Sequence, residues 1–275
     1  MTEAAEIRSA LGRVLIVGGG RMGEAILAGL LNARALEPSD VIVANPGLAK
    51  RERLSSTYGI ACVADATEAG SCDTCILAVK PQVMHDVLVS LTEGREFAPQ
   101  RVISVAAGVK TAFLAEFFPA SHVIRVMPNT PLTVGEGMVG ISLGAGVPAE
   151  EGELASALFE LMGKAVVVDE PLQDAVVALS GSGPAYFALV CRELAAAGEE
   201  LGLPADLARE LAIQTMVGTG ALLTETGQSP EELIDAVSSP GGTTIAALDA
   251  MRAAGLPEAL HEGARAAARR SEELS

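Results

Sequence analysis

Arg13-Val-Leu-Ile-Val17 runs directly into Gly18-Gly-Gly20-Arg-Met-Gly23, and an apolar pattern of helical spacing continues from there to Leu31. A β-branched run, a G-x-G-x-x-G turn and a helix in this order are typical of dinucleotide-binding folds. The first glycine makes the tight turn, Gly20 lets the backbone approach a pyrophosphate, and the third lets the helix pack on the strand. We therefore expect a dinucleotide site here. The alternative is a glycine-rich turn that binds no ligand.

The end of the second predicted strand, residues 40–44, bears on the choice of coenzyme. An NAD-preferring site usually has an acidic residue at this point, which binds the ribose 2′-hydroxyl. This chain has Asn45 followed by Pro46 and Gly47, and the cations Lys50, Arg51 and Arg53 come soon after. A neutral residue followed by cations favours NADPH, with NADH as the alternative coenzyme. The cations would otherwise be only the solvated face of the next helix.

Further β-branched runs at 74–79, 101–106 and 122–127 continue the alternation of strands and helices. Parallel strands carry ligands at their carboxyl ends, so the residues that follow these runs should form one rim with the glycine turn. That rim suits a nicotinamide and its ribose. Two later runs, 137–142 and 165–169, are expected to extend the same sheet.

From residue 171 onward the apolar spacing is that of helices only, beginning with Ser182 as an N-cap and Pro184 in the first turn. These helices are rich in alanine and glycine and offer little for a monomeric core, so a second copy of the chain would complete it. We expect an α/β Rossmann-like N-terminal domain over residues 1–169. An all-α C-terminal dimerisation domain would follow over residues 170–275.

Composition excludes some classes of partner. Of 275 residues, 35 are acidic and 19 basic, which gives a formal charge of −16 and argues against binding to nucleic acid or to an anionic membrane. No run of about 18 apolar residues and no signal-peptide pattern occurs, so a soluble cytoplasmic protein is expected. Cys72 and Cys75 form a C-x-x-C without a second pair, and we interpret them as packing residues, with no metal site.

The second half contains one stretch dense in unusual backbone residues, Val237-Ser-Ser-Pro-Gly-Gly-Thr-Thr-Ile-Ala-Ala-Leu248. Pro240 fixes φ, the two glycines after it permit positive φ, and the apolar residues that follow are typical of a helix start. Such a loop directs several free N–H groups at one point, where the helix N-terminus adds positive partial charge. It would suit a small carboxylate. The alternative is a helix-cap turn between packed helices.

The residues available for proton transfer limit the chemistry. Residues 165–275 contain no lysine, and their only histidine is His261. Reduction of a ketone needs a proton carrier at the oxygen, usually His or Lys. An imine can instead enter already protonated and then needs mainly hydride and a hydrogen bond. Glu225 and Asp249 are conceivable partners, but solvated helix positions explain both more simply.

Five sequence blocks together resemble the signature blocks of pyrroline-5-carboxylate reductase. They follow the family's order and spacing and span nearly the whole chain. The blocks are Val17-Gly-Gly-Gly-Arg-Met-Gly23, Leu77-Ala-Val-Lys-Pro-Gln82, Met127-Pro-Asn-Thr-Pro131, Gly181-Ser-Gly-Pro-Ala-Tyr186 and Val237-Ser-Ser-Pro-Gly-Gly-Thr-Thr244.

The resemblance implies reduction of 1-pyrroline-5-carboxylate to L-proline by NAD(P)H, the last step of proline synthesis. It also implies a Rossmann domain and a helical domain that interlocks into a homodimer, with five dimers often forming a decamer. This chain departs from many members at Asn45-Pro46-Gly47, where a serine or an arginine often follows the second strand, so the coenzyme preference stays open. The implied residues are Gly18, Gly20, Arg21, Met22, Gly23 and Asn45 for pyrophosphate and ribose; Val79, Lys80, Pro81 and Asn129 for the nicotinamide side; Ser239, Gly241, Gly242 and Thr243 for the substrate carboxylate; and Thr244 for the ring nitrogen, as the catalytic residue.

Two other functions fit parts of the pattern. A β-hydroxyacid or 6-phosphogluconate-type dehydrogenase shares the two-domain plan. The mechanism of that family requires a lysine in the helical domain, where this chain has none. A catalytically idle dinucleotide-binding module would bind NADPH without oxidising it in the presence of substrate. Oxidation of coenzyme that depends on an imine separates the main interpretation from both.

Overall fold

The computed structural model describes residues 3–94 and 96–274, which divide into two compact units. Unit 1 contains the described residues up to Gly181 together with the C-terminal segment that begins at Ala267. Unit 2 is Ser182–Ala266. The predicted boundary between the Rossmann-like domain and the dimerisation domain lies between residues 169 and 170, and it stays a prediction.

Unit 1 is built on one sheet of eight strands. The strands are β1 (Val14–Val17), β2 (Val41–Ala44), β3 (Ala61–Val63), β4 (Thr74–Leu77), β5 (Arg101–Ser104), β6 (His122–Met127), β7 (Gly137–Leu143) and β8 (Gly163–Val167). Their order is β3-β2-β1-β4-β5-β6-β7-β8, and neighbours are parallel except β6 and β7. This is the doubly wound order of dinucleotide-binding sheets. The expected α/β fold is therefore confirmed, and the two later runs do extend the sheet.

Helices cover both faces of this sheet, which is why the central strands are continuous apolar runs. Every residue of β1, β4 and β5 is buried. One face packs on Ile26 and Phe159 and the other on Leu88 and Leu114. The helices of unit 1 are α1 (Glu3–Leu11), α2 (Arg21–Asn32), α3 (Leu48–Tyr58), α4 (Pro81–Thr92), α5 (Thr111–Phe117), α6 (Ala149–Glu160) and α7 (Gln173–Val176).

Unit 2 consists of helices around a small core. Its buried cluster is Cys191, Ala195, Ala208 and Ala212, residues of the two longest helices of the unit. Many larger apolar side chains are exposed, among them Phe187 at 62%. The confirmed all-α character thus comes with an incomplete core. The helices are α8 (Gly183–Glu200), α9 (Ala205–Thr226), α10 (Pro230–Ala236), α11 (Thr243–Ala253) and α12 (Leu256–Glu273), whose last residues belong to unit 1.

Among the described residues, one helical stretch, Glu170–Glu200, is long and apolar enough to cross a membrane by length and composition alone. It is interrupted by a π-helical turn at Val177–Gly181. A helix that packs against another subunit has the same apolar composition, so this observation is weak evidence for a membrane span.

Candidate coenzyme and substrate sites

The glycine turn between β1 and α2 has the shape that its spacing predicts. Gly18 has a φ of +107°, and a Cβ there would lie 2.6 Å from the Ala78 carbonyl oxygen. A Cβ at Gly23 would collide with the Gly18 carbonyl oxygen. A Cβ at Gly20, by contrast, would meet no described heavy atom within 4 Å. Two glycines are therefore required by packing, whereas Gly20 borders open space.

The open space above Gly20 fits the pyrophosphate of a dinucleotide. Gly20 is the N-cap of α2 and makes no side-chain cap hydrogen bond. The N–H groups of Arg21 and Met22, in the first helical turn, have no partner within the helix. These donors and the positive end of a helix dipole attract an anion. The structure thus provides both the room and the donors that the coenzyme needs.

Asn45 joins the end of β2 to the glycine turn. Its Oδ1 accepts a hydrogen bond from the Gly19 N–H at 3.2 Å, and its Nδ2 donates to the Gly47 carbonyl at 3.5 Å. The resemblance assigns Asn45 to the ribose, and that role stays a prediction. Its contacts in the structure hold the turn in place.

The three cations after β2 are engaged by other protein groups. Arg53 forms a hydrogen-bonded ion pair with Glu24 of α2, and Lys50 Nζ lies 3.5 Å from the same carboxylate. Arg51 donates to the carbonyl oxygens of Asn45 at 2.9 Å and Pro46 at 2.7 Å. Sequence reasoning missed Glu24, although a carboxylate in the first turn of α2 was a visible signal.

The predicted nicotinamide rim starts beside the glycine turn. The Ala78 N–H donates to the Val17 carbonyl at 2.8 Å, which holds the end of β4 against the end of β1. Val79 is half-buried beside Gly18, Lys80 is the exposed N-cap of α4, and Pro81 is the first residue of that helix. These positions lie together at the carboxyl edge of the sheet, where a coenzyme binds in folds of this kind.

Asn129 lies at the end of β6 with both ends of its amide engaged. Its Nδ2 donates to the Ser180 carbonyl at 3.0 Å, and its Oδ1 accepts from the Met138 N–H at 2.9 Å. The side chain is buried, and it connects the π-helical turn, β6 and β7. Contact of Asn129 with the nicotinamide stays a prediction.

The loop before α11 is a type II turn, with Pro240 and Gly241 at its central positions. Gly241 has a φ of +70°, and the Gly242 N–H donates to the Ser239 carbonyl at 2.9 Å. Gly242 is the N-cap of α11 and makes no side-chain cap hydrogen bond, so the first N–H groups of α11, including those of Thr243 and Thr244, stay available. Thr243 is exposed and Thr244 half-buried. The loop can accept a small anion.

Two polar atoms of unit 2 are buried without a hydrogen-bond partner among the described residues, namely Tyr186 Oη and Ser238 Oγ. Sequence reasoning did not single out either residue, although both belong to blocks that carry the resemblance. Buried hydroxyl groups without a partner are uncommon, because each loses its hydrogen bonds to water.

Comparison with known proteins gives matches over most of the chain. Residues 170–274 match the family model described as pyrroline-5-carboxylate reductase dimerisation. Residues 13–108 match the one described as NADP oxidoreductase, coenzyme F420-dependent. The first covers α7–α12, and the second runs from β1 to the loop after β5.

Individual relatives agree with these matches. The pyrroline-5-carboxylate reductase of Synechocystis sp. is 44% identical over 94% of this chain and 97% of its own. A solved pyrroline-5-carboxylate reductase from Coxiella burnetii has a TM-score of 0.87 at 33% identity and covers 96% of this chain and 99% of that one. The Plasmodium falciparum pyrroline carboxylate reductase with NADP bound has a TM-score of 0.82 at 25% identity, over 95% of this chain and 97% of that one. The chain therefore belongs to the pyrroline-5-carboxylate reductase family and is an oxidoreductase of proline biosynthesis.

Proposed function

We propose that the chain reduces 1-pyrroline-5-carboxylate to L-proline with NAD(P)H, through the two sites described above. The observation that carries the proposal is the uncapped N-terminus of α11 behind the Pro240-Gly241 turn, which offers free donors to a small carboxylate. The helical region supplies no lysine for ketone chemistry. An imine acid matches both features, because it carries a carboxylate and can enter protonated.

The coenzyme side would be held by unit 1. The backbone at Gly18, Gly20 and Gly23, with the N–H groups of Arg21 and Met22, would bind the pyrophosphate, and Asn45 would contact the ribose. Val79, Lys80, Pro81 and Asn129 would line the nicotinamide. The nicotinamide, when bound, supplies the hydride for the imine carbon. NADPH is the proposed coenzyme, with NADH also accepted.

The substrate side would be held by the loop before α11. The Ser239 hydroxyl and the amides of Gly241, Gly242 and Thr243 would bind the carboxylate. Because the Gly242 N–H already donates within the turn, we expect the Thr243 N–H to contribute more. The Thr244 hydroxyl would hydrogen-bond the ring nitrogen and orient the imine, so that positioning contributes more than acid–base chemistry.

Substitution of Thr244 tests the catalytic assignment. Thr244→Val keeps the shape but removes the hydroxyl, and we expect kcat/KM for pyrroline-5-carboxylate to fall by about 100-fold. Thr244→Ser should retain most activity, and titration should give both variants the NADPH affinity of the wild type. Unchanged turnover in Thr244→Val would remove Thr244 from the mechanism.

Coenzyme oxidation by the purified protein tests the whole proposal. NADPH and NADH oxidation would be followed with pyrroline-5-carboxylate and, for comparison, with a six-membered imine acid. Oxidation that depends on the five-membered imine is the expected result. Coenzyme binding without oxidation in either case would favour the idle-module alternative and overturn the proposal.

We also propose a homodimer formed through the C-terminal helices, with a decamer of five dimers as a larger assembly. The exposed apolar side chains of unit 2 and the match to a dimerisation family support this. Light scattering should give a mass of at least two chains. A mass equal to one chain, at concentrations where the enzyme is active, would contradict it.

We also propose a cytoplasmic location, where NAD(P)H is available for the reaction. The high negative charge, −16 over the chain, also disfavours attachment to an anionic membrane surface. Cell fractionation tests this: we expect the protein in the soluble fraction, and recovery with the membranes would contradict it.

A further inference from the structure

One carboxylate, that of Glu24 on α2, contacts three polar side chains of α3. Arg53 pairs with it through a hydrogen bond, Lys50 Nζ lies 3.5 Å away, and the Tyr58 hydroxyl donates to it at 3.2 Å. The hydrogen bond from Arg53 holds the pKa of Glu24 below its ordinary value, although burial opposes this. Glu24 is therefore an anion that two cations share.

This cluster lies beside the place where the two coenzymes differ. The ribose 2′ position in folds of this kind lies at the carboxyl end of β2, next to the first turn of α3. Lys50 is in that first turn, and Glu24 is in the first full turn of α2. NADPH carries a 2′-phosphate there, and NADH carries a hydroxyl group.

The cations are accessible enough to exchange partners. The side chains of Lys50 and Arg53 are 35% and 46% exposed, and that of Glu24 is 20% exposed. Lys50 has a long flexible stem, so its ammonium can move between Glu24 and a nearby anion. Arg51 is different, because its guanidinium is engaged by the carbonyl groups at the end of β2.

We propose that Glu24 sets the discrimination between NADPH and NADH by competing with the 2′-phosphate for Lys50 and Arg53. The inference rests on the proposed function for the identity of the ligand. The carboxylate neutralises part of the positive charge and repels a second anion, and at the 2′ position both effects weaken the binding of NADPH more than that of NADH. Glu24 thus lowers the preference for NADPH that Lys50 and Arg53 alone would give.

The test is direct binding of coenzyme to the intact protein, measured by nicotinamide fluorescence at low salt without substrate. In Glu24→Gln the carboxylate charge is lost and both cations become available to the phosphate. We expect the ratio of Kd for NADH to Kd for NADPH to rise about tenfold, because a charge-assisted hydrogen bond to phosphate is among the strong ones. The rise should come from a larger gain in affinity for NADPH than for NADH, and it should shrink at high salt.

Glu52→Gln is the matched control, since Glu52 is an exposed carboxylate on α3 and its loss changes the net charge equally. Adding Lys50→Ala and Arg53→Ala to Glu24→Gln should cancel the gain. Glu24→Ala carries the same expectation and excludes a glutamine side chain that re-forms the bonds to Arg53. Thermal unfolding verifies that each variant is folded.

The outcomes separate the inference from the proposed function. A ratio for Glu24→Gln or Glu24→Ala above that of Glu52→Gln supports the inference. The inference alone is overturned if the wild type binds both coenzymes and the Kd ratios of Glu24→Gln and Glu24→Ala are no higher than that of Glu52→Gln. A wild type that binds neither coenzyme overturns the proposed function, and the inference with it.

Discussion

At the scale of single residues, the three glycines of the turn after β1 meet different demands. Gly18 needs a positive φ, and Gly23 needs to be without a Cβ because the Gly18 carbonyl lies against it. Gly20 has a φ of −70°, which any residue can adopt, and it faces open space. The fold therefore constrains Gly18 and Gly23, whereas a glycine at position 20 is explained by the proposed approach of the pyrophosphate.

This difference predicts opposite effects of two alanine substitutions. Gly20→Ala should leave the free energy of unfolding within about 0.5 kcal/mol of the wild type, because nothing in the protein opposes the new methyl group. It should weaken NADPH binding by about 1–3 kcal/mol, since that methyl occupies the approach of the pyrophosphate. Isothermal titration and urea unfolding measure the two quantities.

Gly23→Ala is the comparison, and here the free energy of unfolding should itself fall by about 1–3 kcal/mol, since the turn must shift to admit the methyl group. If Gly20→Ala bound NADPH as tightly as the wild type, the pyrophosphate would lie elsewhere, and the assignment of the turn would be wrong.

The cations after β2 show which properties of single residues can be predicted from the sequence and which cannot. Their positions were predictable, and their relevance to a 2′-phosphate stays a prediction. Their partners were not, because Glu24 lies on the preceding helix and meets Lys50 and Arg53 only when α2 and α3 lie side by side. Local pattern gives the charges, but the folded packing decides which of them are neutralised.

At the scale of secondary-structure elements, Asn129 connects β6, β7 and the π-helical turn before α8. A π-helical turn leaves backbone groups out of the regular helical pattern, and such turns often lie at functional sites. Here the Ser180 carbonyl in that turn accepts from the Asn129 amide. The sequence block around Asn129 predicted a coenzyme contact, and the hydrogen bond to Ser180, 51 residues further along the chain, could not be predicted from it.

Asn129→Ala should lower the free energy of unfolding by about 1–3 kcal/mol, because the Ser180 carbonyl and the Met138 N–H would both lose their partner. Urea denaturation measures this. Ser180→Ala is the control, because the Ser180 hydroxyl donates to the Val176 carbonyl and the Ser180 carbonyl remains in place for Asn129. If Asn129→Ala and Ser180→Ala had the same free energy of unfolding, the Asn129 amide would not stabilise the π-helical turn.

The strands of unit 1 show which elements a sequence pattern can predict. Central strands were found because burial on both faces makes them continuous apolar runs. β3 was missed, since it has three residues, lies at the edge of the sheet and is partly exposed. α1 was missed as well, because only Ile7 and Leu11 of its residues are buried. β7 pairs antiparallel with β6 because residues 128–136, which join them, are too few for a crossover helix, and the apolar runs alone do not reveal this pairing.

At the scale of the whole molecule, one ion cluster connects parts of unit 1 that are far apart in sequence. Glu151 of α6 accepts two hydrogen bonds from Arg101 of β5, at 2.7 and 2.9 Å, and its Oε1 lies 2.9 Å from His122 Nδ1 of β6. Arg101 also donates to the Ala10 carbonyl of α1. Burial alone would raise the pKa of Glu151, but the hydrogen bonds from Arg101 and His122 outweigh it and lower that pKa.

This lowered pKa makes stability depend on pH. Stability from a carboxyl with a lowered pKa is present above its unfolded value, near 4.5 for Glu151, and is lost as pH falls through the folded pKa. At pH 7, Glu151→Gln should lower the free energy of unfolding by about 3 kcal/mol, because Arg101 would stay buried and unpaired. The difference from the wild type should shrink below about pH 4.5. Glu150→Gln, an exposed neighbour, is the control for chemical denaturation.

The helical region also makes a prediction about assembly. In unit 2 the buried cluster consists of one cysteine and three alanines, while Phe187 and Leu211 are 62% and 49% exposed. A core this small provides little of the burial that stabilises a folded domain. A second copy of the chain would cover these side chains. The Ala- and Gly-rich composition of the helices favours a dimer for the same reason, because small side chains alone bury little apolar surface.

Leu211→Glu places a charge on α9 where we expect the subunit contact. Burying an unpaired carboxylate costs several kcal/mol, so light scattering should show the mass of one chain where the wild type shows two or more. Val83→Glu is the matched control, because Val83 is 46% exposed on α4, outside the region matched by the dimerisation family. It should keep the mass of the wild type. If Leu211→Glu kept that mass too, this face of α9 would lie outside the subunit contact, and the apolar surface of unit 2 would need another partner.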